Sequence, residues 1–260
     1  MTGDLLLVDN LCVSLADDPG RKILSGVSFA VKPLSVVALV GGSGCGKTTT
    51  GLSILRLLSP ALSIDQGRIL FKGDDLLSAD DRRIRAIRGK EIGMVFQDPL
   101  QAFNPVFTVG FQIAEVFRFH TAMTPHEIKA QTFELLSQVG IDDPARVYGS
   151  YPHQLSGGMR QRAMIAQAIA VKPSLLIADE PTSSLDVTLQ AMILELFVEL
   201  KKAYRLSILL ITHDLGIVGH MADDIVVMNS GSVVESGAKD VVMKKAKHPY
   251  TQELMRTLVG

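Results

Sequence analysis

A glycine-rich loop near the N-terminus has the composition of a phosphate-binding site. The run Gly41-Gly42-Ser43-Gly44-Cys45-Gly46-Lys47-Thr48, continued by Thr49, follows the apolar stretch Val36–Val40. Glycines let backbone N–H groups wrap a β-phosphate, and a helix that begins at the loop adds its positive dipole end. In this pattern Lys47 meets the β- and γ-oxygens, and the Thr48 hydroxyl binds Mg²⁺. The sequence therefore predicts nucleotide phosphate binding at Gly41–Thr49, where Cys45 need only be small.

Two adjacent carboxylates end another apolar stretch. Leu175-Leu176-Ile177-Ala178 leads directly into Asp179 and Glu180. Beside a phosphate loop, Asp179 is suited to the Mg²⁺ shell and Glu180 to polarising an attacking water. The alternative is a pair of solvated acids at a strand end, which the phosphate loop makes less favoured.

Gln97 and His213 each follow an apolar run as well. A lone residue of either type at such a place is more often structural. Ligands, however, bind at the carboxyl ends of strands in open parallel sheets. We therefore expect Gln97 to reach the metal or the water, and His213 to contact the γ-phosphate.

A second glycine-rich run lies at Leu155-Ser156-Gly157-Gly158-Met159-Arg160-Gln161. Ser156 can cap the helix that follows, and the two glycines let backbone N–H groups approach a phosphate. The alternative is an ordinary Ser-Gly-Gly turn before a helix.

Composition limits the class of protein. The chain has 260 residues, a formal net charge of −1 and 47% hydrophobic residues, so one large α/β domain is expected and nucleic acid is not expected as a partner. Two cysteines, Cys12 and Cys45, are too few for a disulfide framework and indicate a reducing compartment. Residues Met1–Asn10 do not resemble a signal peptide, and the charge-free run Pro99–Ala114 is too short and polar to cross a bilayer.

Hydrophobic periodicity predicts strands that alternate with helices, and hence a parallel sheet with right-handed crossovers. The predicted buried strands are Val36–Val40, Ile92–Phe96, Leu175–Ala178, Ile208–Ile211 and Ile225–Met228, with half-buried edge strands at Val27–Val31, Ile69–Phe71 and Ser232–Glu235. The predicted helices are Val109–Phe119, Pro125–Val139, Arg160–Val171 and one between Asp186 and Leu206.

The middle of the chain is predicted to be a helical insertion. Prolines at Asp98-Pro99 and Lys172-Pro173 mark its boundaries. We thus expect a nucleotide-binding core whose first part, residues 1–97, carries the phosphate loop. A helical subdomain follows at 98–172, and residues 173–260 form the second part of the core with C-terminal helices.

The motifs together resemble the nucleotide-binding subunit of an ABC transporter over essentially the whole chain. They occur in the family's order: the phosphate loop, Gln97-Asp98-Pro99, Leu155 to Gln161, Ala178-Asp179-Glu180, Ser183-Ser184-Leu185-Asp186 and Thr212-His213-Asp214. The resemblance implies a P-loop NTPase (RecA-like) core with an antiparallel β edge, and hydrolysis of ATP to ADP and phosphate. It also implies that Ser156, Gly157, Gly158 and Met159 contact ATP held by a partner subunit's phosphate loop, with Asp186 at that interface. Gln97 and the segment after it would touch a membrane subunit.

Three segments look like the peptide and nickel importer group: Gln97–Arg118, Tyr151-Pro152-His153-Gln154 and His248-Pro249-Tyr250-Thr251. The resemblance implies two permease subunits, a second ATPase subunit that is a paralogue, an indirect solute-binding protein, and a peripheral place on the cytoplasmic face of the membrane. Peptide importers commonly carry a cysteine-bearing extension that is not seen before Gly260. Val37–Gly42 and Ala222-Asp223-Asp224 also look nickel-type. Nickel or a chelated metal is therefore expected as the solute, with peptides as the alternative.

One position departs from the family pattern. The residue that usually stacks on adenine is an aromatic, and Leu15 stands at the matching position.

Two other classes of protein compete with a transporter subunit: a soluble ABC ATPase acting on DNA or ribosomes, and a catalytically inactive partner. The chain shows no second ATPase domain and no basic patch, and Lys47, Asp179, Glu180 and His213 are intact.

Overall fold

The computed structural model describes residues 3–183 and 185–256. Ser184 of the predicted Ser183–Asp186 motif and the last four residues of the predicted 173–260 segment lie outside that range. The chain forms two compact units, Met1–Arg85 with Leu206–Gly260, and Ala86–Arg205.

The first unit contains an antiparallel sheet near the N-terminus. Its strands are β1 (Leu6–Leu15), β2 (Asp18–Val31), β4 (Leu62–Phe71) and β5 (Asp74–Asp75), in the order β2-β1-β4-β5. In the central strand β1, Leu6 lies opposite Val31 of β2 and Phe71 of β4. All three side chains are fully buried, so this sheet packs one apolar face inward.

The same unit holds a parallel set of strands. β3 (Val36–Val40) pairs in parallel with β8 (Ser207–Thr212) and with β9 (Asp224–Asn229), and β10 (Ser232–Ala238) is antiparallel to β9. Every residue of β3 is buried, as a continuous apolar run predicts for a parallel strand covered on both faces.

Helices complete the first unit. α1 (Lys47–Ile54) follows β3, and α2 (Asp81–Ile87) runs across the end of the first segment at Arg85. α9 (Leu215–Met221), α10 (Lys239–Lys244) and α11 (Pro249–Arg256) belong to the C-terminal segment. Ala38 and Val40 of β3 share a core with Val218 of α9, Val242 of α10 and Met255 of α11. The strand that leads into the phosphate loop is therefore packed against the C-terminal helices.

The second unit has a parallel strand pair and most of the helices. β6 (Ile92–Val95) and β7 (Leu175–Asp179) pair with Ile92 opposite Leu175. The helices are α3 (Pro99–Ala102), α4 (Val109–His120), α5 (Pro125–Gln138), α6 (Pro144–Gly149), α7 (Gly157–Ile169) and α8 (Val187–Tyr204), with a 3₁₀ turn at Pro152–Gln154. α4 packs against α5, α6 and α7, consistent with a helical layer.

Polar caps begin these helices. Thr108, Thr124, Ser156 and Asp186 each accept a backbone N–H with the side chain at the start of α4, α5, α7 and α8. The helix predicted to begin at Arg160 begins at Gly157, because Ser156 is its cap. The other predicted strands and helices are present, and their bounds differ from the predicted bounds by at most three residues. The exceptions are the edge strands β2 and β4, which begin well before the first residue predicted for them.

The predicted helical subdomain 98–172 lies within the second unit, and its boundaries stay a prediction. Across residues 3–183 and 185–256, no helix is both long and apolar enough to cross a membrane.

Candidate nucleotide-binding site

The phosphate loop turns sharply between β3 and α1. Gly41, Gly44 and Gly46 have φ angles of 156°, 75° and 102°, in the region that disfavours side chains. A Cβ at Gly41 would lie 2.2 Å from the Met228 carbonyl oxygen, and one at Gly46 would lie 2.5 Å from a Leu24 methyl. Glycine is therefore required at both ends of the loop for conformation and for space.

Lys47 is folded back onto the loop. The residue is only 5% exposed, and its ammonium donates to the carbonyl oxygens of Gly41 and Gly42, each at 2.9 Å. The two carbonyl oxygens are neutral acceptors for this buried cation. In the phosphate-loop pattern the lysine binds phosphate oxygens instead, and these are stronger acceptors because they are charged. Thr48 is exposed at the first turn of α1, Thr49 is half-buried, and the Cys45 thiol is buried 3.9 Å from the ammonium.

Two hydrogen bonds join the loop to the C-terminal segment. The N–H of Gly231 donates to the Cys45 carbonyl at 3.1 Å, and the N–H of Gly42 donates to the Tyr250 hydroxyl oxygen at 2.8 Å. Sequence reasoning used Tyr250 as a subgroup marker and missed this contact. The sequence signal that could have indicated this contact is the His-Pro-Tyr-Thr motif at the start of a helix, to which no structural role was given.

His213 lies at the same edge of the sheet as the loop. β3 and β8 are parallel neighbours with Val40 opposite Thr212, so the loop and His213 both follow the carboxyl ends of their strands. The His213 side chain is exposed, while the next residue, Asp214, caps α9 by accepting the N–H of Gly216 at 2.8 Å. The first unit thus brings His213 to the loop's edge, as expected.

The predicted acidic pair lies in the second unit. Asp179 ends β7 and is 2% exposed, whereas Glu180 is half-buried and has a φ of 43°. Gln97 follows β6 and its Nε2 donates to Glu180 Oε2 at 3.2 Å. Because β6 and β7 are parallel neighbours, their carboxyl ends bring Gln97 and Glu180 together.

The second glycine-rich run opens α7 beside a cavity of about 420 Å³. Ser156 Oγ accepts the N–H of Met159 at 3.3 Å, and Gly157 is exposed. Asp186, the cap of α8, lines the same cavity as residues 156–159. A Cβ at Gly158 would lie 3.3 Å from the Leu189 methyls, so the start of α7 approaches α8 closely. The second unit therefore brings Ser156, Gly157, Gly158, Met159 and Asp186 to one cavity.

Comparison with known proteins decides the family. A family model described as "ABC transporter" matches residues 24–183, more than half of the chain. This chain belongs to the ABC transporter family. It is an ATP-hydrolysing ABC cassette, and the predicted P-loop NTPase fold with parallel strands and an antiparallel sheet is confirmed.

Its relatives include two dipeptide transport ATP-binding proteins DppD. The protein from Bacillus subtilis (strain 168) is 46% identical over 96% of this chain and 76% of its own length. The protein from Escherichia coli (strain K12) is 44% identical over 98% of this chain and 78% of its own length. The peptidoglycan transport ATP-binding protein YejF of Agrobacterium fabrum is 48% identical over 98% of this chain, which spans about half (47%) of that relative.

Solved ABC cassettes have the same fold. The dimeric structure of MJ0796, a bacterial ABC transporter cassette, has a TM-score of 0.79 at 25% identity, covering 90% of this chain and 98% of that one. A post-hydrolysis state of the same cassette, bound to ADP and Pi, matches equally well. CbiO1 from Clostridium perfringens has a TM-score of 0.78 at 29% identity, covering 94% of this chain and 92% of that one.

These relatives correct one expectation. The ABC importer ATPase is supported, but the names of the relatives support peptides, the alternative, and do not support nickel. The expectation of nickel rested on short sequence resemblances. The transported solute does not touch this subunit, so the sequence of the subunit says little about the solute.

Proposed function

We propose that this chain energises a peptide importer, using ATP hydrolysis to drive uptake of di- or oligopeptides. The observation that carries the proposal is the 44–46% identity to two dipeptide transport ATP-binding proteins over at least 96% of this chain. The partners are two integral membrane permease subunits, a second ABC ATPase subunit and, indirectly, a solute-binding protein. The chain then acts at the cytoplasmic face of the membrane.

The proposed phosphate site is the loop Gly41–Thr49. Lys47 would exchange its two carbonyl acceptors for β- and γ-phosphate oxygens, and the helix α1 would present its positive end to the same group. The left-handed glycines leave room for backbone N–H groups to approach the phosphate. Removal of the Lys47 ammonium is therefore expected to weaken ATP binding itself.

The proposed Mg²⁺ ligands are the hydroxyl of Thr48, the amide oxygen of Gln97 and the carboxylate of Asp179. All three are hard oxygen donors, the ligand type that Mg²⁺ prefers, so the residues fit the ion. Gln97 Nε2 already donates to Glu180, which leaves its amide oxygen as the ligand atom. When bound, Mg²⁺ supplies charge neutralisation across the phosphate oxygens.

Glu180 is the proposed general base, and His213 the proposed contact to the γ-phosphate. The Glu180 carboxylate would accept a proton from the attacking water while the Gln97 N–H orients it. The exposed His213 can donate a hydrogen bond to a phosphate oxygen. These side chains come from the carboxyl ends of strands in their respective units, where ligands of parallel sheets bind.

The proposed role of the Ser156–Met159 segment is contact with ATP held by the partner subunit. The exposed Ser156 and Gly157 stand at the positive end of α7, which favours an anion. Asp186 lines the same cavity and would lie at the subunit interface. Two cassettes arranged head to tail would then enclose two nucleotides, each contacted by both chains.

Exposed apolar side chains in the segment after Gln97 are the proposed contact to a permease helix. After Gln97, large side chains remain 43–69% exposed at Leu100, Val106, Phe107 and Phe119. Side chains of this kind, where they form one apolar surface, are suited to a protein interface. Its position directly after Gln97 would link nucleotide state to the permease.

Solute uptake tests the proposal in the protein's own host. The gene is deleted, and uptake of a radiolabelled dipeptide and of ⁶³Ni²⁺ is measured separately. We expect dipeptide uptake to fall and to be restored by the wild-type gene but not by Lys47→Ala, with nickel uptake unchanged. Loss of nickel uptake with intact dipeptide uptake would establish the nickel alternative and overturn the peptide assignment.

A further inference from the structure

The tyrosine of the His-Pro-Tyr-Thr motif contacts the phosphate loop directly. Tyr250 lies in the first turn of α11, and its hydroxyl oxygen accepts the N–H of Gly42 at 2.8 Å. A Cβ built at Gly42 would lie 3.2 Å from that oxygen, so the hydroxyl stands against the loop backbone itself. The contact joins residues 208 positions apart in the chain.

Tyr250 is itself held in place from several sides. Its N–H donates to His248 Nδ1 at 3.2 Å, and the N–H groups of Lys247 and His248 donate to the Glu235 carboxylate at 2.9 and 3.0 Å. The Tyr250 ring packs on the core that contains Val40, the last residue of β3. A tyrosine has two side-chain torsions, so this support leaves its hydroxyl little freedom.

The loop needs such support because it is rich in glycine. Gly41, Gly44 and Gly46 lose more conformational entropy on ordering than other residues do. Two hydrogen bonds to the C-terminal segment anchor the loop, Gly42 to Tyr250 and Cys45 to Gly231, and the exposed Ser43 and Gly44 lie between them. An anchored loop is already close to the conformation that a phosphate selects, which lowers the entropic cost of binding.

We propose that Tyr250 is a positioning residue of the nucleotide site: its hydroxyl holds Gly42 so that the phosphate loop is ordered before ATP binds. The inference rests on the proposed phosphate-binding role of Gly41–Thr49. It assigns to the C-terminal helix α11 a function in nucleotide affinity. The competing explanation is that the bond merely ties α11 to the core.

Tyr250→Phe separates the two explanations, because it removes the acceptor and keeps the ring packing. We expect the Kd values for ATP, ADP and inorganic pyrophosphate, measured by titration calorimetry, to rise about three- to tenfold, as loss of one hydrogen bond predicts. The KM for ATP should rise similarly with kcat nearly unchanged. In amide-exchange NMR, the Gly42 N–H should exchange faster than in the wild type.

Tyr204→Phe is the matched control. The Tyr204 hydroxyl is hydrogen-bonded to Gln138 in the second unit, so this variant loses a comparable bond elsewhere. Its nucleotide affinities should equal those of the wild type. Wild-type affinities in Tyr250→Phe, or a lower unfolding midpoint with unchanged Kd values, would overturn the proposal and leave a merely structural bond.

Lys47→Ala distinguishes failure of this inference from failure of the site assignment. If Lys47→Ala abolishes ATP binding and Tyr250→Phe does not change it, the phosphate-loop assignment is confirmed and the proposed role of Tyr250 is wrong. If Lys47→Ala binds ATP normally, the proposed phosphate site itself is wrong. A wild-type Gly42 amide that exchanges at the rate of an unstructured peptide would also overturn the role of Tyr250, without any variant.

Discussion

Gln97 and Glu180, which are 83 positions apart in the chain, are joined by a side-chain hydrogen bond of 3.2 Å. The bond fixes one carboxylate oxygen of Glu180 at the carboxyl end of β7. The Glu180 backbone is in the left-handed region, with a φ of 43°. A non-glycine residue held in this region stores strain of about 1–3 kcal/mol, a feature that clusters at functional sites. Glu180 is the proposed residue that activates water, and the bond to Gln97 sets the position of its carboxylate.

Glu180→Gln tests this assignment. The amide keeps the size of the side chain but cannot take a proton, so ATP hydrolysis should fall by about 10²- to 10⁴-fold. ATP binding should persist, and the variant should accumulate as an ATP-bound dimer, measured by size-exclusion chromatography with scattering. Glu195→Gln is the control, since Glu195 is exposed on α8. Wild-type turnover in Glu180→Gln would refute the role.

The elements that the sequence predicts well are those with local signals. β3 is a run of five buried apolar residues followed by glycine, and its bounds Val36–Val40 are as predicted. Gln97 and Glu180 were placed at strand ends by the same reasoning, and parallel pairing of β6 and β7 explains why they meet.

The features that the sequence did not predict depend on distant or irregular contacts. β1 was missed because Asp9 and Asn10 interrupt its apolar pattern, and the register shifts there, with Asn10 at a φ of 50°. The bond from Gly42 to Tyr250 has no periodic signal, since it depends on how α11 packs on the core of the first unit.

Ser156 has two roles that substitutions can separate. Ser156→Ala loses the cap of α7 and should lower the free energy of unfolding by about 1 kcal/mol. Ser156→Asp keeps a capping oxygen, so its stability in urea unfolding should match the wild type. If Ser156 also contacts ATP across the dimer, the added carboxylate repels the γ-phosphate and lowers kcat/KM about tenfold or more.

Thr108→Asp is the control for Ser156→Asp. Thr108 caps α4 with the same 3.3 Å contact, to the N–H of Phe111, and should tolerate the carboxylate with unchanged ATPase activity. A fully active Ser156→Asp enzyme would show that Ser156 is a helix cap and nothing more.

Gly93 of β6 is required by a close approach of two backbones. A Cβ there would lie 2.2 Å from the Ala168 carbonyl oxygen of α7, so the strand and the helix would have to separate. Gly93→Ala should lower the free energy of unfolding by about 3 kcal/mol. Gly149→Ala is the control. It meets no atom within 4 Å and lies at the end of α6, so it should raise stability by about 0.5–1 kcal/mol. If Gly93→Ala and Gly149→Ala had equal unfolding midpoints in urea, the close approach of β6 and α7 at Gly93 would be contradicted.

Ionisation of the Glu235 carboxyl is expected to make the stability of the protein depend on pH. Burial acts to raise the pKa of its carboxyl, but the N–H groups of Lys247 and His248 outweigh it, and the pKa lies below the usual 4.5. A carboxyl with a lowered pKa in the folded state stabilises the fold above its unfolded pKa and loses that contribution as pH falls through the folded value. Because Glu235 is only half-buried, the contribution is less than about 1 kcal/mol.

Unfolding of Glu235→Gln should therefore depend less on pH than that of the wild type. The two should differ most above the unfolded pKa of 4.5 and converge as the pH falls through the lower folded value. Urea midpoints measured across this range test the point. Glu253→Gln, an exposed change on α11, should follow the wild-type curve. A constant difference between Glu235→Gln and the wild type at all pH values would rule out titration as the cause.

Leu15 is the proposed contact to the adenine base. It is the last residue of β1 and is half-buried, and the family resemblance predicts a stacking aromatic at this position. Leu15→Tyr should lower the Kd for ATP about three- to tenfold, the range expected for an added aromatic contact. The Kd for pyrophosphate, which has no base, should not change. Leu15→Met adds no ring and should leave both values at wild type. A gain of equal size for pyrophosphate would mean that Leu15 acts on the phosphate loop and not on the base.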